Sequence, residues 1–122
     1  SDLEIEINKD FEDHEIIFVP SLFVEELSSK LKKVDLMYNH GSFSEMDYET
    51  IKFYLDTLMK YGPVNALFEI NSNKEKENCG NHIEIPSSTF PIPKEFKLIF
   101  RAPTINDVFG HRYMQSLYIK GE

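Results

Sequence analysis

The sequence predicts an α+β fold, a helical hairpin packed on one face of a twisted, mainly antiparallel β-sheet. Three observations carry this expectation. Between Ser21 and Pro63 apolar residues recur at three- and four-residue spacing, and after Pro63 the period drops to two. The third is size: 122 residues, 41% hydrophobic and 28% charged, can bury a core without staples. Residues 1–122 are therefore expected to form a single domain.

The elements follow in order. Leu3, Ile5 and Ile7 alternate with Glu4 and Glu6, a strand with an acidic solvent face suited to a sheet edge. Ile16, Ile17, Phe18 and Val19 form a second short strand that stops at Pro20. Ser21 is expected to cap the first helix, with Glu25 and Glu26 in the first turn, where acids complement the dipole. Val24, Leu27, Leu31, Val34 and Tyr38 form its buried stripe, and Gly41 ends it. Residues 39–43 join the helices. Ser44 and Asp47 read as a capping pair for the second helix, with Ile51, Tyr54, Leu55 and Leu58 inward and Gly62-Pro63 as the stop.

Beyond Pro63, Val64, Ala66, Phe68 and Ile70 face one side of a strand, with Asn65, Leu67 and Glu69 on the other. Residues 71–81 form a polar loop, and His82 to Ile85 a short strand closed by Pro86. Prolines 86, 91 and 93 mark an extended connection. Phe96, Leu98 and Phe100 define a strand with Lys97 and Arg101 outward, and Tyr113 to Ile119 is expected to pair antiparallel with it.

Composition narrows the function classes. Formal net charge is -8, which argues against nonspecific attraction to nucleic acid phosphate. No apolar run approaches a membrane span, and no signal-peptide pattern is present. The single cysteine excludes an internal disulfide and makes a reducing intracellular setting the default. The chain opens on an acidic segment without Met, which reads as the trimmed core of a longer protein.

Motifs for chemistry are sparse. Cys79 and His82 have the spacing of half a zinc site with no second half, and His111 is the only later candidate. Neither a metal site nor a Cys-His nucleophile is expected from them. His14, His40 and His111 sit in predicted turns. The early carboxylates lack the order of a calcium loop, and no phosphate loop, zinc-protease helix or nucleophile elbow occurs. The expectation is a non-enzyme without cofactor or metal.

Two features suit binding. Lys30, Lys32 and Lys33 would lie on the outer side of the first helix, positioned for an acidic partner or lipid headgroups, although a solvated helix face explains them as well. Pro63-Val64-Asn65-Ala66-Leu67-Phe68 is an apolar exit from the second helix, either core strand or an exposed anchor for another subunit.

The run Glu26 to Tyr38, ending Asp35-Leu36-Met37-Tyr38, resembles the first core helix of rhabdovirus matrix proteins. The glycine-bearing loop Asn39 to Ser44, the apolar segment Tyr48 to Tyr61 and the exit Gly62-Pro63-Val64 are similar in order to that family. So are Cys79 to Pro86 and Pro93-Lys94-Glu95-Phe96, so that the likeness covers residues 20 to 96. The family's Pro-Pro-x-Tyr and Pro-Thr/Ser-Ala-Pro budding motifs and its lysine-rich tail, both parts of a flexible leader, do not occur here. The resemblance implies a virion structural protein that self-associates, condenses the helical nucleocapsid and links it to the envelope during assembly and budding. Its implied partners are copies of itself in a non-covalent polymer, the viral nucleocapsid, the inner face of the host membrane through the leader, and host factors. Its implied places are the virion beneath the envelope, host cytoplasm and membrane, and the nucleus. Pro63, Val64, Ala66 and Leu67 match the loop that some members use for self-association. The runner-up reading is a small acidic inhibitor or immunity-type protein that blocks a basic partner, a use to which net charge -8 is suited.

Overall fold

A computed structural model of the chain describes residues 21–31, 33–61, 64–74, 85–105 and 113–121. A 3-10 turn at Ser21–Phe23 leads into helix α1, Val24–Lys30, and then strand β1, Val34–His40. A second 3-10 turn, Phe43–Glu45, precedes helix α2, Tyr48–Tyr61, which returns the chain to strand β2, Val64–Ser72. A third such turn, Ser87–Thr89, is followed by β3, Phe96–Pro103, and β4, Tyr113–Lys120. The four strands lie in the order β1-β2-β4-β3. The β1–β2 pair is parallel, whereas β2–β4 and β4–β3 are antiparallel. Helices α1 and α2 pack on each other, so the fold class is the expected one: a helical pair with a mixed, mostly antiparallel sheet.

What joins the helices is not the expected loop alone. The stretch 34–40, expected to continue the first helix, is instead the strand β1. The helix stops at Lys30, where Leu31 turns extended (φ -75°, ψ 127°) and its N–H donates to the Ser28 carbonyl at 3.3 Å. Val34 and Tyr38, four residues apart, satisfy both periods over so short a run, and β-branched and aromatic residues favour the pleated surface once β2 offers a partner. The helical likeness drawn from Glu26 to Tyr38 therefore holds only as far as Lys30. Gly41, at φ 74°, ends a strand rather than a helix, and its N–H donates to the Ile70 carbonyl at 2.8 Å.

The caps also differ. Ser21 lies in the 3-10 turn, and the position before α1 is Phe23, with no side-chain cap. For α2 the cap is Asp47 alone, whose Oδ1 accepts the Thr50 N–H at 2.7 Å. That bond holds the Asp47 carboxyl below its ordinary value. Ser44 is buried in the preceding turn instead. On the outer face of α2, Lys52 and Asp56 form an i,i+4 pair.

The core forms where α2 lies on the sheet. Ile51 and Leu55 meet Val64, Leu67, Phe96 and Tyr118, with Phe43 packed edge-on against Phe90 beside them. From Ala66 onward the alternation expected along β2 is present with the opposite face buried, whereas at its start Val64 is buried and Asn65 exposed. Leu67, 1% exposed, points under the helices with Glu69 and Asn71, whereas Ala66, Phe68 and Ile70 face away. Leu67 is therefore core and not an exposed anchor. Arg101 is corrected for a related reason. A bulge between Leu98 and Phe100 inserts one residue into β3, which rotates Arg101 to the inner face opposite Ser116.

The expected strands Leu3 to Ile7 and Ile16 to Val19, and most of His82 to Ile85, lie outside the described residues. So do His14, Lys32, Pro63, Cys79, His82 and His111.

Candidate functional site

The two faces of the sheet differ: the inner one carries both the apolar core and a buried polar cluster. Beside the apolar core, the polar cluster sits against the turns at Ser44 and Ser87. Glu69, fully buried at the centre of β2, accepts from Asn71 Nδ2 through Oε2 at 2.9 Å. The same Asn71 amide donates to Asn39 Oδ1 on β1 at 3.1 Å, and Asn71 Oδ1 accepts the Ser44 N–H at 3.2 Å. Arg101 Nη1 and Nη2 donate to Ser116 at 2.9 Å and to Ser87 at 2.7 Å. The guanidinium stands 3.7 Å from Glu69 Oε1, an ion contact without a hydrogen bond. Glu69 Oε1 is left without a hydrogen-bond partner.

Burial pushes the Glu69 carboxyl above its ordinary value, while Ser116, Asn71 and the Arg101 charge pull it down. Burial, and next the nearby Glu69 charge, raise the Tyr118 phenol. This cluster ties β1, β2, β3, β4 and the two turns at Ser44 and Ser87 to one another. Its Ser87 and Ser116 hydroxyls serve as hydrogen-bond partners to Arg101, so the described part of the cluster works as a structural clamp between strands and turns. Among the described residues no group of three or more His, Cys, Asp or Glu could hold a metal ion, and no helix is long and apolar enough to cross a membrane.

The opposite face is apolar and open. Tyr38 on β1 stacks on Phe68 of β2, with ring centroids 5.9 Å apart and planes at 21°. Phe68 in turn meets Phe100 of β3 at 6.3 Å, across Leu117 of β4. His40 lies at one end of the row, edge-on to Tyr113 at 6.5 Å. Tyr38 is 55% exposed and Leu36 52%, and Ile99, Phe100 and Ile119 also reach solvent. Strand register explains the row: residues paired across a sheet share a face, so Leu36–Ala66, Tyr38–Phe68 and Phe68–Leu117 line up.

The residues expected to bind partners are distributed differently. Val64 and Leu67 are buried, so among the described members of the expected self-association set only Ala66 contributes to the open face. Lys30 closes α1 and pairs with Glu26 at 3.4 Å. Lys33 follows in the link to β1 and pairs with Asp35 at 2.6 Å. The two lysines do not form a helical stripe, because the helix ends between them. Sequence reasoning missed the Tyr38–Phe68–Phe100 row, which needs the parallel pairing of β1, and it missed the Glu69–Arg101 contact, which needs the bulge. One signal was present: a lone acid between Phe68 and Ile70 in an apolar strand. Comparison of the chain with family models, with curated proteins and with solved structures finds no match.

Proposed function

We propose that this chain is a non-catalytic assembly protein that associates with copies of itself. Following the resemblance drawn from its sequence, we place that activity in a viral matrix role, condensing a nucleocapsid and linking it to an envelope. The observation that supports the reading is the open apolar sheet face formed by Leu36, Tyr38, Phe68, Phe100 and Ile119. A contiguous apolar layer of this kind marks an interaction surface more often than a reaction site. Weak contacts between many copies add up along a repeating ribonucleoprotein. Lys30 and Lys33, and Lys32 between them, remain the proposed contact for an acidic partner or lipid headgroups.

Static light scattering over a concentration series tests the first part, and co-sedimentation with a helical ribonucleoprotein tests the second. The expected outcome is mass that grows with concentration, with pelleting of the chain beside the filament. A strict monomer that binds a basic protein one to one would refute this reading and favour the acidic inhibitor.

A further inference from the structure

We infer that the occupant of the open sheet face is a second copy of this chain, packed face to face about a two-fold axis. The inference deepens the assembly reading and rests on it, since it names which surface the copies use first. Over 36–40, 66–70, 97–102 and 115–119, the strand register turns Leu36, Tyr38, Phe68, Phe100, Leu117 and Ile119 outward together. Among the described residues, the one Lys, Arg, Asp or Glu placed on this face is Lys97, at a corner opposite Ile119.

That charge pattern selects the partner. A nucleic acid strand would stack on the same rings, but it needs several cations to displace counterions from phosphate, and one lysine does not supply them. An amphipathic helix seeks a groove, whereas this surface is the flat, twisted layer of a four-stranded sheet. Another sheet fits it, at the spacing of about 10 Å at which two sheets stack. A second copy offers such a sheet in every solution of the protein, and among the described residues it brings no carboxylate into the contact. A two-fold axis makes the same residues complementary to themselves.

Area sets the strength. Four strands about 4.8 Å apart and about 7 residues long present roughly 450 Å² on one face. A stable complex covers about 800 Å² per partner, so this contact falls at the weak, concentration-dependent end. It also closes on itself, so a larger array needs a second, different contact.

Sedimentation velocity of the full chain, from about 10 µM to about 1 mM, spans the affinities expected of so small an interface. The expected result is a monomer that becomes a dimer, with tighter dissociation constants as salt rises and screens the repulsion between like-charged bodies. Leu36→Lys or Tyr38→Lys should weaken dimerisation by about tenfold or more, because each would bury a charge against apolar surface. The same change at Phe53, exposed on the outer side of α2, should leave it untouched. If a face variant fails to fold, concentration-dependent amide shifts at residues 36, 38, 100 and 119 of the unaltered chain make the same measurement. A monomer throughout, equal weakening by Phe53→Lys, or shifts at those amides produced by an oligouridylate instead of by concentration would overturn the inference. Growth into large particles that Tyr38→Lys leaves unchanged would overturn this face while the assembly reading stands. A dimer that never pellets with a ribonucleoprotein would do the reverse.

Discussion

Removing the Arg101 guanidinium tests whether the cluster under the helices holds the sheet together. Arg101→Met keeps much of the side-chain length but leaves Glu69, fully buried and bonded to Asn71, with no facing charge from Arg101. Breaking a buried pair by taking one partner away costs about 3–5 kcal/mol, mostly because the remaining charge is stranded. The contact here is 3.7 Å long and Arg101 is only partly buried, which places the expected loss near the lower end, about 3 kcal/mol. Urea unfolding reads this directly: with a slope of about 1–3 kcal/mol/M, the midpoint should fall by more than about 1 M.

Two companion measurements separate a stranded charge from lost packing. Adding Glu69→Gln to Arg101→Met removes the charge itself and should recover most of the loss, a coupling that a packing defect would not produce. Acid should act in the same direction. Burial raises the Glu69 carboxyl in the folded protein, whereas in the unfolded chain it titrates near the ordinary 4.5. As pH falls from neutral toward that value, the folded state takes up a proton first, so this group contributes stability on the acid side and loses it as pH rises through its folded value. Without Arg101 the carboxyl should titrate higher still, and the deficit of Arg101→Met should shrink as the medium is acidified. A deficit below about 1 kcal/mol that neither acid nor Glu69→Gln changes would refute the clamp.

Two further outcomes are expected. Leu67→Ala, at a side chain 1% exposed in the central strand, should cost about 2–5 kcal/mol in urea unfolding, which an exposed anchor would not. Gly41→Ala should cost about 1–2 kcal/mol, and all of it through the backbone, because a Cβ there meets nothing within 4 Å while φ stays at +74°.

Some of this protein was legible before any fold was known. The helix 48–61 and the antiparallel pairing of the strands around Phe96 and Tyr113 follow from local rules, because period and turn chemistry act over a few neighbours, although the cap fell to Asp47 and not to the Ser44–Asp47 pair. The fold class follows from the same patterns. The candidate surface was not legible, because it depends on pairing between distant segments. Residues 34–40 became a strand only because β2 offered a parallel edge, and that pairing set Tyr38 against Phe68. The buried face of β2 was likewise decided by where α2 landed, since alternation defines two faces without saying which is covered. A single inserted residue in β3 then turned Arg101 from solvent toward Glu69. Local sequence determined which elements could form; long-range contact decided which of their faces met water.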